Sequence, residues 1–248
     1  NYTNTWGNGT LTILRATPTL AVNPDPIPVK TFGDAPLQLT ATHSGGLPVS
    51  WLSTATNVAS VNSNGLVTFT GAGSALLKAY HGGNSNYWMV EKFMNVSVVA
   101  GQPTLTFSPI PTKTYGDTNF ILEVTSSAGL PLIYFSQNPQ VATVNVSNGL
   151  VTLRGAGTSV MTASNAGTAN YRSAATNQTL TVNPAQLTVT ASNATRPFGQ
   201  TNPPLLFSFS GFVYGEGTNV LTTQPAISTT ATTNSAAGTY PITVSGGS

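Results

Sequence analysis

Thr31-Phe32-Gly33-Asp34 recurs as Thr114-Tyr115-Gly116-Asp117 and again as Pro197-Phe198-Gly199-Gln200, each time 83 residues further along. Other landmarks keep nearly the same step. Gly46-Leu47-Pro48 returns as Gly129-Leu130-Pro131, and Val58-Ala59-Ser60-Val61 as Val141-Ala142-Thr143-Val144. Gly71-Ala72-Gly73 returns as Gly155-Ala156-Gly157. A fixed period of this kind marks a repeat array, in which each copy is one folded unit.

Inside each copy the pattern is that of short strands. Leu37, Leu39 and Ala41 alternate with Gln38 and Thr40, and Leu66-Val67-Thr68-Phe69 and Leu180-Thr181-Val182 carry β-branched and apolar residues. Side chains of a strand point to alternate faces, so this is a half-buried strand pattern. Asn64-Gly65 and Asn148-Gly149 predict two-residue hairpin turns of type I′. No stretch has a sustained helical period. Several strands in about 83 residues, with no helix, predict small antiparallel β-sandwiches in tandem.

Composition narrows the function. Charged residues make up 6% of the 248, and 40% are hydrophobic. Disorder needs low hydrophobicity and high net charge, and neither holds. The net charge of +2 comes from 8 basic and 6 acidic residues. Lys30, Lys78, Lys92 and Lys113 stand singly, whereas a nucleic-acid surface needs clustered cations; no nucleic-acid partner is expected. There is no cysteine, so no disulfide, thiolate metal site or Cys nucleophile is available. No apolar run is long enough for a membrane-spanning helix, so no membrane insertion is expected. The chain begins at Asn1 rather than Met, and is read as a processed mature form or an excerpt.

Residues 102–184, through Lys113-Thr114-Tyr115-Gly116-Asp117, Gly129-Leu130-Pro131, Asn148-Gly149-Leu150-Val151-Thr152 and Asn170-Tyr171, resemble bacterial Ig-like domains of secreted and surface proteins. The stretch from Ala185 to Leu205, with Ser210–Glu216 and Gly238–Val244, resembles the MBG-type Ig-like repeat of long extracellular bacterial proteins, often adhesin-like. The resemblance implies an all-β fold of tandem immunoglobulin-like β-sandwiches and an extracellular or cell-surface setting. The expected division is 1–15, a strand or hairpin completing a neighbouring domain; 16–101 and 102–184, two Ig-like domains; and 185–248, an incomplete MBG-type domain lacking its last strand. Linkers near 16–18, 100–102 and 184 are very short, which predicts a semi-rigid rod.

The ends carry the sharpest signal. Asn86-Tyr87 precedes Val96-Ser97-Val98, and Asn170-Tyr171 precedes Leu180-Thr181-Val182; the tyrosine-to-strand distance is nine residues in both. Asn1-Tyr2 precedes Leu11-Thr12-Ile13 at the same distance. Residues 1–15 therefore read as the end of an Ig-like domain. Gly238–Val244 reads as the penultimate part of one whose Asn-Tyr pair and last strand do not follow. An open sheet edge invites pairing with another chain, and an extended segment can complete it. The expected donor residues are Tyr2, Trp6, Leu11 and Ile13. The expected acceptors are Leu187, Val189, Tyr240, Ile242 and Val244. Three accounts stay open: a subunit that donates its segment to an identical copy, head to tail in a filament; one period of a covalent stalk in a giant surface adhesin; or a frayed third domain.

No chemistry is visible, and no enzyme activity, catalytic residue, cofactor or metal is expected. Asp25, Asp34, Asp117, Glu91, Glu123 and Glu216 are dispersed, whereas calcium needs several carboxylates together. Asp34 and Asp117 read as turn residues that bond their own backbone. His43 and His81 read as loop positions, since His81 aligns with Asn165. Neither a nucleophile–base pair nor paired glycosidase carboxylates can be assembled. Trp51 aligns with Tyr134 and reads as a core aromatic. Trp88 reads as outward-facing, where it could offer a platform for glycan on other cell surfaces.

Overall fold

A computed structural model describes residues 1–248. The chain is all-β; its one helical element is a single 3-10 turn, Thr218–Val220. It divides into two compact units. One comprises 1–104 with 126–130 and 165–174; the other comprises 105–125, 131–164 and 175–248.

The first repeat has a four-stranded sheet in the order Lys30–Thr31, Val90–Val99, Gly73–His81, Ser50–Ser53. A three-stranded sheet runs Leu37–Gln38, Leu66–Phe69, Ala59–Val61. Leu20–Asn23 pairs with Thr40–His43. The last long strand alternates: Met94, Val96 and Val98 are buried, while Phe93 and Val99 face out. These side chains meet Leu39, Val67 and Leu77 in one core, with Trp51 packed against it. The same strand orders recur in the second repeat. Its core gathers Phe107, Leu122, Val151, Met161, Leu180 and Val182, with Tyr134 in the place of Trp51.

The short entry strand pairs parallel to the last strand, Lys30 with Val98 and Thr31 with Val99. The second repeat does the same, Lys113 with Val182 and Thr114 with Asn183. Asp34 Oδ2 accepts the Thr31 amide and Asp117 Oδ2 the Thr114 amide, both at 2.9 Å. The two aspartates are thus the turn residues their position predicted.

The hairpin turns differ from expectation. Gly65 and Gly149 have φ of 81° and 69°, but Asn64 and Asn148 do not share the positive φ that type I′ requires. A larger turn forms instead. Asn62 Oδ1 accepts from the amides of Asn64 and Leu66 at 3.0 and 2.9 Å, and Asn145 Oδ1 from those of Ser147 and Asn148 at 3.0 and 3.2 Å. The asparagine three residues ahead of the glycine in one repeat, and four ahead in the other, supplies bonds that a two-residue turn would have made through its backbone.

Residues 185–248 are built differently. Thr188–Ala191 pairs antiparallel with Phe207–Ser210, and Ala226–Thr229 with Ile242–Ser245. Beyond Val182 the one buried side chain is Pro225, and no aliphatic or aromatic side chain is buried as in the two cores. The apolar residues of these ladders are half-buried, apart from Ala226, which is exposed.

Candidate functional site

The Asn-Tyr pair has a fixed seat. In the first repeat the Ala16 amide donates to the Asn86 carbonyl at 2.8 Å, and the Trp88 amide to the Ala16 carbonyl at 3.0 Å. In the second, the Gly101 amide donates to the Asn170 carbonyl and the Arg172 amide to the Gly101 carbonyl, both at 2.9 Å. The entry residue and the Asn-Tyr pair thus form a parallel clasp in each repeat. Asn170 does more: its Oδ1 accepts the Ala72 amide at 2.8 Å. The Tyr171 ring stands edge-on to Phe32 at 5.2 Å.

Nine residues past each tyrosine comes the strand that fills the core. Val96 and Val98 are 1% and 3% exposed, and Leu180 and Val182 are 0% and 2%. Leu11 and Ile13 occupy the same positions after Tyr2 and are 89% and 86% exposed. Tyr2 and Trp6 are exposed as well. The segment 1–15 has no strand pairing. The four donor residues belong to the first compact unit and the five acceptors to the second.

Three of the five acceptors line open space. Tyr240 and Ile242 border a cleft of about 700 Å³ whose other wall includes Arg196 and Phe198. Arg196 is fixed there by a bond from Nε to Asn202 Oδ1 at 2.7 Å and another to the Thr232 carbonyl. Pro197-Phe198 is the third copy of Thr31-Phe32, so Arg196 stands where Lys30 stands in the first repeat. There the last strand lies between Lys30–Thr31 and Gly73–His81. The cleft lies beside the corresponding landmarks. Val189 and Val244 sit in the two ladders, opposite Phe209 and Ile227, and Leu187 lines a second cavity of about 250 Å³. Sequence reading missed Arg196, Phe198 and Asn202. The repeat alignment contained the signal for the first two.

A clamp joins the second repeat to the segment that follows. The Tyr214 hydroxyl donates to the Asp117 carbonyl at 3.0 Å, and the Tyr115 hydroxyl to Glu216 Oε1 at 2.7 Å. The rings of Tyr115 and Tyr214 meet edge-on at 5.2 Å. Glu216 beside it, with burial as a lesser cause, raises the Tyr115 hydroxyl above its usual ionisation range.

The histidines are not loop residues. His43 ends the strand Thr40–His43 and His81 ends Gly73–His81, because both strands run on further than the flanking glycines suggest. His43 is buried, and its Nδ1 accepts the Gly45 amide at 3.0 Å. The two rings pack edge-on at 5.2 Å. No third ligand joins them, and no group of three or more His, Cys, Asp or Glu forms anywhere in the chain. Trp88 is half-exposed, with the Arg15 guanidinium 5.1 Å over its ring.

Residues 187–248 match the family model of the MBG domain (YGX type), and residues 35–83 and 122–176 match that of the intimin immunoglobulin-like domain. The chain carries bacterial Ig-like repeats. These repeats are of the surface-associated, adhesin-like kind. Among solved structures, Drosophila N-cadherin EC1-4 is 12% identical with a TM-score of 0.31, over 88% of this chain and 65% of that one. Domains 1-6 of the surface layer protein SbsC are 13% identical with a TM-score of 0.30, over 92% of this chain and 36% of that one. A SusE-like surface located polysaccharide binding protein from Bacteroides thetaiotaomicron is 12% identical with a TM-score of 0.29, over 79% and 40%. The chain thus spans less than two thirds of the length of these three. No curated protein matches it. No helix is long and apolar enough to cross a membrane.

Proposed function

We propose that the chain is a structural subunit of an extracellular filament or surface fibre, joined head to tail by strand complementation. The Leu11–Ile13 stretch of one copy enters the cleft bordered by Arg196, Phe198, Tyr240 and Ile242 in the next. The observation that carries this reading is the contrast in burial at equivalent positions. Leu180 and Val182 are core residues, whereas Leu11 and Ile13 stand in solvent. Burying each of Tyr2, Trp6, Leu11 and Ile13 contributes about 1.5–3 kcal/mol. Ordering the segment costs about 1–2 kcal/mol for each backbone residue fixed, so the ladder bonds of the added strand are needed as well. A head-to-tail contact that does not close into a ring grows a filament.

The same local geometry serves a covalent stalk, in which the Asn-Tyr pair and its strand come from the next period of one long surface chain. Glycan binding near Trp88 fits either form as an added property of the repeats. Sedimentation and negative-stain microscopy of the full chain test the filament. Wild type should form polymers whose length rises with concentration, and Leu11→Asp with Ile13→Asp should stay monomeric. Polymers unaffected by the double change would reject strand exchange. A wild type that is monomeric at every concentration would leave only the covalent form, which the intact mass of the protein as isolated from cells then decides.

A further inference from the structure

The third repeat has a ready-made seat for an Asn-Tyr pair, and three residues identify it. In the first junction the seat consists of Phe32, Ala72 and Gly101. Phe32 meets the tyrosine ring, the Ala72 amide reaches the asparagine Oδ1, and Gly101 makes both backbone bonds of the clasp. Their counterparts one repeat later are Tyr115, Ala156 and Ala185. Tyr115 replaces Phe32 in the Thr-x-Gly-Asp motif, and Ala156 replaces Ala72 in Gly-Ala-Gly. The Phe32 amide donates to the Val99 carbonyl, and the Tyr115 amide to that of Asn183, both at 2.8 Å. Gly101 and Ala185 each follow that carbonyl by two residues.

All three counterparts line the one cavity of about 250 Å³. Tyr214, which packs on Tyr115, does not line it. The Ala156 amide and both backbone groups of Ala185, whose equivalents are bonded at the first junction, make no hydrogen bond within the chain. Ala185 carries a methyl where Gly101 has none; a Cβ on Gly101 would stand 3.3 Å from the Tyr171 ring, and Ala16, which makes the same clasp with Asn86-Tyr87, shows that alanine fits this position.

We infer that this cavity is the socket for Asn1-Tyr2 of a second copy. It would fix the register of the incoming strand before Leu11 and Ile13 are reached. The Asn1 carbonyl accepts the Ala185 amide, Asn1 Oδ1 accepts the Ala156 amide, and the Thr3 amide donates to the Ala185 carbonyl. Tyr2 lies against Tyr115. The occupant follows from spacing. Asn1-Tyr2 stands nine residues before Leu11, as Asn170-Tyr171 stands before Leu180. This inference rests on the strand-exchange reading and adds to it a site outside the cleft.

The test uses the full chain carrying Leu11→Asp and Ile13→Asp, so that its own segment does not compete, and a fluorescent peptide of residues 1–15 read by anisotropy. The wild-type peptide should bind saturably. A peptide with Asn1→Ala and Tyr2→Ala should bind about tenfold more weakly, having lost a hydrogen bond and an aromatic contact. Asn1→Asp alone, which keeps an acceptor oxygen, should bind within a few-fold of wild type. Ala156→Pro in the host removes the amide. It should weaken the wild-type peptide but leave the Asn1→Ala peptide unchanged. If the doubly changed peptide binds as tightly as wild type, the socket is wrong while strand exchange stands. If instead a peptide with Leu11→Asp and Ile13→Asp binds as tightly as wild type, the socket stands and the strand-exchange reading is wrong. A wild-type peptide that does not bind the folded host overturns both.

Discussion

Asn170 closes a turn that lies 98 residues before it in the chain, its Oδ1 accepting the Ala72 amide at 2.8 Å. The neighbouring Gly71 leaves room for it, since a Cβ there would stand 3.2 Å from the same oxygen. Asn170→Ala should lower the urea unfolding stability of the unit that contains both residues by about 1 kcal/mol. Asn170→Asp keeps the acceptor and should cost less. Fluorescence of Trp51, with Trp6 and Trp88 changed to Phe, follows that unit. An alanine variant with an unchanged midpoint would mean the bond contributes nothing.

Equivalent residues in opposite surroundings give the second expectation. Leu180→Ala removes a side chain with no exposed surface and should cost about 2–5 kcal/mol. Leu11→Ala in the dispersed chain should shift stability by no more than about 0.5 kcal/mol, as at an ordinary exposed site. Urea denaturation of the two variants at a concentration where wild type is monomeric makes the comparison. A large loss for Leu11→Ala under those conditions would mean that the segment folds onto its own chain.

The third expectation concerns pH. The carboxylate of Glu216 accepts from the Tyr115 hydroxyl, so the proton of Tyr115 is held more tightly in the folded chain than in the unfolded one. The unfolded group ionises near 10. The contribution of this contact is therefore complete below about pH 10. It is lost as pH rises through the higher folded value. Absorbance titration near 295 nm should show Tyr115 ionising late in wild type, and Glu216→Gln should move that ionisation to lower pH. Identical titration curves for wild type and Glu216→Gln would contradict the hydrogen bond.

A glycine at the clamp supplies the fourth. A Cβ on Gly116, at φ +106°, would lie 2.6 Å from Val213 Cγ1, whereas one on Gly33, at φ +99°, meets nothing within 4 Å. Both alanine variants carry the backbone cost of a positive φ, about 1–2 kcal/mol. Gly116→Ala should be the more damaging of the two, and Val213→Ala should recover part of its extra loss. Equal destabilisation by Gly33→Ala and Gly116→Ala in thermal unfolding would show that Val213 does not press on this turn.

Much of the fold was legible because it repeats. The alternation of Leu37–Ala41 and Leu66–Phe69 against turn residues is a local signal, and the 83-residue step turns it into architecture. The same alignment gave the role of Asp34 and Asp117 and the inward side of Trp51. The turn type was not legible. Asn64-Gly65 has the composition of a two-residue hairpin, and only the side chain of Asn62 decides for the larger loop. The histidines were misread because a strand end and a loop share the same flanking glycines. At the candidate site the segment proposed as donor was named from spacing alone. The seat of Asn170 on Ala72 and of Tyr171 on Phe32 could not, since contacts between consecutive repeats leave no periodic mark in either one. Sequence places Tyr115 and Ala156 as equivalents of Phe32 and Ala72, but the geometry of the first junction is needed to say what they are equivalent for.

The parallel pairing of Lys30–Thr31 with Val98–Val99, repeated at Lys113–Thr114, bears on how such repeats would carry tension. Force along the backbone reaches Lys30–Thr31 from the N-terminal side of a repeat and leaves through its last strand. Because these two run side by side in one direction, the bonds between them lie across the pull and share the load, rather than opening one after another like a zipper. Each complete repeat should then yield as a separate high event when a single molecule is stretched, and the third should match them once a neighbour's segment is seated. A thread assembled this way would be as strong at its joints as within its links.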